Sequence, residues 1–411
     1  MIKSAKTAGR GAGSRPQSRG RQGGWLPFAG AGGALFVLLI GSNLPTPLFP
    51  LYSKVYGLSP LVVALLFATY ALLVIPALLV FGPLSDAKGR RELLIGAIIA
   101  AAVAAALFAA AHEVAVLFVA QAVQAMALGA LQGTASPTLV EYDPTKQPRR
   151  ASAIASGLTV AGAGVGPLLA GVLAQFAPLP QQLGYLIELG LLAAALVAVL
   201  TLIPAREDRQ SWRPRRPTVP AEIRRPFVVA GISTFVAWAV TGLFLSLIPS
   251  FVTDVLKHDN LALAGVVVAI LLGPAVAIQI LASRLESLRA QTLGLVVMIV
   301  GVAVLLAANL ASSLAALLVA SVLAGLGMGL AFMGSLGDVN EIAPEDRKGD
   351  VVASYYVVVY IGTAVPAIGV GAVAEGYGLP TAIDAFAYIV IAICLTGLAG
   401  LIRETRSRRA K

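Results

Sequence analysis

The chain has 411 residues, 58% hydrophobic and 12% charged, with a formal net charge of +10. Soluble domains carry about 25% charged residues, so this composition excludes a soluble globular protein and points to the membrane. A lone cysteine, Cys394, excludes an intramolecular disulfide, and the two histidines, His112 and His258, have no metal-ligand spacing.

Residues 1–26, rich in Gly, Ser and Arg, read as a disordered basic tail. The apolar run that follows is about 24 residues long and lacks a small-residue cleavage site, which argues against a cleaved signal peptide. A hydrocarbon core of about 30 Å needs some 20 apolar residues per helix. Such runs occur near 28–51, 60–81, 92–111, 115–138, 152–176 and 182–203, then near 227–252, 261–282, 291–310, 313–335, 351–374 and 380–402. Solid runs, without the alternation of a β-barrel, predict an all-α membrane protein of twelve transmembrane helices.

The basic residues test whether the charge serves nucleic acid or topology. Of 30 Lys and Arg, 28 fall in the terminal segments and in every second loop, leaving Lys54 and Lys257 on the other side. This positive-inside pattern predicts cytoplasmic termini. Basic tails resting on anionic lipid account for the charge better than nucleic-acid binding does. The absence of an Asn-x-Ser/Thr sequon fits a bacterial inner membrane.

The one long hydrophilic gap, 205–226, divides the spans six and six. It sets expected units of 27–204 and 227–403, with a basic tail at 404–411. Sliding one half over the other places Pro167 on Pro366 at an offset of 199, and Arg91 on Arg289 and Gly96 on Gly294 at an offset of 198. Parallel six-helix repeats about an axis normal to the membrane are a transporter plan, with the substrate between the halves near the midplane.

Between spans two and three lies "GPLSDAKGRR", Gly82 to Arg91. It resembles the signature of the major facilitator superfamily, roughly G-x-L-x-D-R-x-G-R-R, and position, span number and repeat extend the resemblance over nearly the whole chain. Ala87 departs from the usual basic residue. Physically, Gly82 and Gly89 permit close approach and positive φ, and Asp86 suits a helix N-terminus. The resemblance implies that Asp86 meets the start of helix eleven, near Asp350 and Val351. Such a latch, worth about 1–2 kcal/mol, would bias the halves toward the state closed inside. Arg90 and Arg91 are expected to reach Glu141, Asp143 or Asp338. In the second half Arg284 replaces the aspartate and the glycine pair is gone, so the latch is expected on one side only.

Span five carries "GLTVAGAGVGPLLAG", with Gly162, Gly166, Pro167 and Gly171. Small residues at these intervals let helices approach closely, and Pro167 removes a backbone donor and bends the helix. The stretch resembles the family's antiporter motif, roughly G-x-x-x-G-P-x-x-G-G, which implies efflux; an ordinary packing face would look similar. Helix four has Gln121-Ala-Val-Gln124-Ala125 where drug and proton antiporters of the family carry Arg-x-x-Gln-Gly, and helix one has no acid.

Cavity candidates follow from helical spacing. Gln121, Gln124, Gln132 and Ser136 share one face of span four, and Tyr356, Tyr360 and Thr363 form a stripe on span eleven. Asn43, Trp238, Thr241 and Gln279 complete a neutral, partly aromatic set suited to an amphipathic substrate. Interhelical hydrogen bonding and packing is the competing role for each. Ionisable groups within the membrane are costly and usually functional. Glu188 in span six is the clearest, as a proton carrier or as a structural acid in a helix that the resemblance makes peripheral. Asp384 and Glu375 sit at outer span ends, where water is the simpler account.

No ATP-binding loop or catalytic constellation occurs, so neither enzyme activity nor a cofactor or metal is expected. The expectation is a monomeric secondary transporter working by alternating access, most simply proton-coupled efflux of a small amphipathic compound. The alternatives are an uptake symporter or uniporter for a metabolite, and a transport-dead membrane sensor.

Overall fold

A computed structural model describes residues 25–200, Leu202 and 217–409. The side chains at positions 85–88, 133, 136, 148, 149, 152, 153, 346 and 409 fall outside that description. Most of the expected N-terminal tail and of the central hydrophilic gap therefore lies outside the described residues.

Among the described residues the chain is helical without strands, and twelve helices are long and apolar enough to cross a membrane. The all-α expectation is borne out. The first span, α1, is Trp25–Tyr56, interrupted by a 3-10 turn at Thr46–Leu48. It is followed by α2 (Pro60–Lys88), α3 (Arg90–Ala109), α4 (Val114–Tyr142), α5 (Pro148–Phe176) and α6 (Leu183–Leu200). The second set is α7 (Arg224–Ser246), α8 (Leu261–Leu281), α9 (Ser287–Leu310), α10 (Leu314–Ile342), α11 (Lys348–Tyr377) and α12 (Leu379–Arg409).

An even number of spans puts both described ends of the chain on one face of the bundle, here called the terminal face; the opposite face is distal. Several helices outrun the apolar windows. The α2 helix continues through the polar residues to Lys88 and α4 to Tyr142, because backbone hydrogen bonding does not stop where hydropathy falls. For the same reason α12 carries the segment expected as a tail out to Arg409.

Prolines punctuate both halves at matching places. Pro167 in α5 and Pro366 in α11 are 199 residues apart, and Pro76 in α2 and Pro274 in α8 are 198 apart. Each removes an intrahelical donor and allows a bend at the same depth in both repeats.

Among the described residues, the halves come to backbone distance toward the distal face. A Cβ at Gly171 of α5 would stand 2.6 Å from the Leu261 carbonyl oxygen of α8, and one at Gly265 would overlap the Pro167 carbonyl. Within the same contact the Gln175 side-chain oxygen accepts from the Leu261 N–H at 2.8 Å. The α2–α11 contact repeats this design, with Gly371 against Pro60 and Ala64 and the Leu61 N–H on Glu375 Oε2 at 3.4 Å. At the distal end of α1, Lys54 Nζ pairs with Asp259 Oδ1, in the loop before α8, at 2.7 Å.

These contacts generate a packing test. Gly265→Val should cost about 1–3 kcal/mol by overpacking, read as a lowered thermal unfolding midpoint of the purified protein. Gly190→Ala, where a Cβ meets nothing within 4 Å, should leave the midpoint unchanged.

Candidate functional site

The turn between α2 and α3 is set by Gly89, whose φ of 104° is closed to most L side chains. Gly82 differs from the expectation. It lies inside α2 with open space where a Cβ would be, so the reversal falls on Gly89 alone. The Asp86 backbone belongs to the last turns of α2, and its side chain lies outside the described residues. Arg90 reaches the expected carboxylate, with Nη1 donating to Glu141 Oε2 at 3.0 Å.

Among the described residues, Arg91 reaches no carboxylate. Its Nη2 donates to the Leu200 carbonyl at 3.1 Å and so caps the end of α6, where carbonyls lack intrahelical partners. The other two carboxylates are already engaged. Asp143 accepts from the Thr145 and Gln147 backbone and hydroxyl groups nearby, and Asp338 is held by Arg408 at 2.8 Å and Gln291 at 3.4 Å.

The span-five residues divide between two neighbours. A Cβ at Gly162 would stand 2.6 Å from the Phe36 carbonyl, and one at Gly166 would stand 2.5 Å from the Ile40 carbonyl and 3.1 Å from Asn43 Cβ. Both glycines therefore seat α5 on α1, while Pro167 and Gly171 seat it on α8. The helix bridges the two halves, and its small residues are what permit two backbones to lie against it.

Inside the bundle the neutral polar and aromatic candidates pair mostly within their own half, and Gln132 with Tyr360 joins the two. Gln124 Nε2 donates to Ser42 Oγ at 3.1 Å, and the Ser42 hydroxyl to the Leu38 carbonyl. Gln121 is 2% exposed, with its side-chain oxygen lacking a partner. Gln132 Nε2 donates to the Tyr360 hydroxyl at 3.0 Å, joining α4 to α11 across the halves. Asn43, half-buried, donates to the Leu39 carbonyl of its own helix. Thr241 is fully buried, its hydroxyl on the Ala237 carbonyl. Ser136 has its side chain outside the described residues.

Trp238 starts an aromatic run that the sequence reading did not foresee. It meets Phe332 of α10 edge-on at 5.4 Å, Phe332 meets Tyr355 at 6.2 Å, and Tyr355 meets Tyr356 at 5.9 Å. The Tyr355 hydroxyl pairs with Ser335 at 2.8 Å, whereas the Trp238 N–H is buried without a partner. Phe332 lacks a polar handle and gave no signal in an apolar span. Tyr355 was visible in sequence but sits off the stripe of Tyr356 and Tyr360.

Glu188 lies in α6, 2% exposed, with Oε1 unpartnered. It occupies the space above Gly41 of α1, where any Cβ would overlap its carboxyl group. One turn earlier, the buried Tyr185 hydroxyl pairs with Tyr52 at 2.9 Å, and its ring stacks on Phe108 at 4.8 Å. The acid is thus enclosed between spans one and six. Asp384 and Glu375 have protein partners where water was expected, Asn309 Nδ2 at 2.7 Å for the first and the Leu61 N–H for the second. Among the described residues no cluster of His, Cys, Asp and Glu is suited to a metal.

Twelve membrane helices in two repeats are a plan of membrane transporters. The sequence pattern of the Major Facilitator Superfamily matches residues 31–367, and the chain belongs to that family. Among curated proteins it is similar to the quinolone resistance protein NorA of Staphylococcus aureus. In one strain it is 24% identical over 203 residues, covering 49% of this chain and 52% of NorA; in another it is 23% identical over 226 residues, covering 55% and 58%. The chain thus spans little more than half the length of these curated relatives. Its fold is similar to that of a mutant of the nucleoside transporter NupG, with a TM-score of 0.73, 12% identity and coverage of 91% and 99%. It is also similar to that of a bacterial homologue of the human lysosomal transporter Spinster, in an inward-facing, occupied conformation. That match has a TM-score of 0.69, 16% identity and coverage of 92% and 96%. At these identities the two structures establish the fold alone.

The distal ion pair gives a pH test. The Lys54 ammonium, by its hydrogen bond and its charge, holds the Asp259 carboxyl below its ordinary range. A depressed carboxylate contributes above its unperturbed pKa, and the contribution is lost as pH falls through the depressed value. Acidification through and below the carboxylate range should therefore raise labelling of a cysteine placed at the distal seam. Asp259→Asn should show raised labelling at neutral pH and no further acid-dependent step from this pair.

Proposed function

We propose that the chain is a proton-coupled exporter of small amphipathic, drug-like compounds, working by alternating access in a bacterial inner membrane with cytoplasmic termini. The observation that carries this reading is the neutral set of amide and aromatic side chains inside the bundle, in which the buried Trp238 N–H and Gln121 side-chain oxygen have no protein partner among the described residues. Such walls favour a largely apolar solute bearing one or two hydrogen-bonding groups. The span-five motif and the similarity to a protein named for quinolone resistance both support export. The sequence pattern, with 28 of the 30 basic residues in the terminal segments and in every second loop, supports the orientation.

In this reading Glu188 carries the coupled proton. Its enclosure against Gly41 makes span one sensitive to the charge on the carboxyl group, and span one also touches span five, which bridges the halves. Asp86, on the turn set by Gly89, latches the terminal face closed in one state against the start of α11, while Arg90 and Arg91 brace that turn within the first half through Glu141 and Leu200. The substrate enters from the cytoplasmic side and is released at the distal side against a counterflow of protons.

Everted vesicles test direction and coupling together. They should accumulate a fluorescent amphipathic substrate when acidified inside. Glu188→Gln should abolish the response to the pH gradient while leaving substrate binding; retained coupling would exclude Glu188. Asp86→Asn should lower the initial rate about five-fold with normal insertion, corresponding to about 1 kcal/mol of lost conformational bias. An unchanged rate would remove the latch.

A further inference from the structure

We infer that the terminal-face end of the groove between α9 and α12 is a headgroup site for one anionic phospholipid. A cavity of about 480 Å³ opens there, and its lining includes Glu286, Arg289, Leu293, Ile402 and Arg406. Arg289 Nε pairs with Glu286 at 3.1 Å, with both side chains more than half exposed. Among the described residues, Arg406 has no ion-pair partner, although Arg408, two residues on, is committed to Asp338 and Glu404. The lining thus holds two guanidinium groups and one carboxylate.

The repeat shows why this place is open. Arg91 is the counterpart of Arg289 at the offset of 198, and in the first half its guanidinium closes the equivalent place by capping the end of α6 at Leu200. The second half has no such helix end. α12 runs on to Arg409, so at the matching depth its carbonyls are satisfied within the helix and offer Arg289 nothing to cap. The extra turns bring Arg406 to the cavity instead. The same pseudo-symmetric position is sealed by protein in one half and left open, with net positive charge, in the other.

The depth of the flanking residues selects a lipid over a soluble anion. α9 enters the membrane from this face and α12 leaves by it. Leu293 lies four residues deeper than Arg289, and Ile402 four residues deeper than Arg406, which is about 6 Å of helix in each case. These two apolar side chains are 48% and 50% exposed. A phosphodiester between the arginines would therefore place its acyl chains along Leu293 and Ile402. Guanidinium groups match phosphate oxygens with paired N–H donors, and an arginine near an anionic leaflet is worth about 1 kcal/mol.

Native mass spectrometry of the full chain, taken from mixed phosphatidylglycerol and phosphatidylcholine micelles, tests the site. The wild-type protein should retain phosphatidylglycerol preferentially, and Arg289→Ala and Arg406→Ala should each lower that retention about five-fold. Glu286→Gln should raise it, because Arg289 is freed for the phosphate; a misfolded variant would not produce that gain. Arg403→Ala removes an equal charge outside the cavity lining and should leave retention near wild type. An equal loss in Arg403→Ala would reduce the effect to general surface charge and overturn the site. Displacement of the lipid by millimolar inorganic phosphate alone would show a bare anion site and overturn the lipid assignment.

Discussion

The hydrocarbon core offers no water to an unpaired backbone group, so every segment crossing it must satisfy its own N–H and C=O groups. That constraint makes the chain helical and also removes the hydrophobic effect as a force between helices, since lipid is as apolar as leucine. What then brings helices together is close approach at small residues and a few buried polar contacts. Gly162, Gly166 and Gly171 give α5 two neighbours at backbone distance, and Gly265 and Gly371 do the same for the seams between the halves. Seams built this way hold by fit and by few bonds, which suits the proposed alternating access.

The polar contacts divide into fixed and movable sets. On the terminal face, Arg90 with Glu141, Arg91 with Leu200 and Asp338 with Arg408 all lie within one half. They brace each half as a unit. Among the described residues, the contacts that join the halves include an exposed Lys54–Asp259 pair, a 3.4 Å bond from Leu61 to Glu375, Gln175 on Leu261, and Gln132 on Tyr360. Exposed pairs such as Lys54–Asp259 contribute little because water and salt screen them, which suits the alternating-access cycle proposed above.

The two halves share a plan but not their details. Gly89 gives the first half a sharp turn and a basic pair, and nothing equivalent survives after α8. Arg91 and Arg289 sit at matching positions, yet one caps a helix and the other lines a cleft, because α6 stops where α12 continues. Repetition supplies the scaffold, and differences in helix length decide where it is sealed.

Composition and run length determined the membrane setting, the span number and the internal repeat, because transfer of apolar segments into lipid depends on sequence locally. Glycine and proline spacing also marked α5 before any fold was known. The ends of α2 and α4 were not legible, since hydropathy falls before helical hydrogen bonding does. Only the tertiary structure decided which polar residues meet. Gln132 and Tyr360 are 228 positions apart, and Trp238 and Phe332 lie on helices whose sequences say nothing of each other. Glu188 was visible as a charge in an apolar run, but its seat above Gly41 came from the packing of α6 on α1. Contacts between helices depend on rotation and depth of both partners at once, and no single segment encodes that pair.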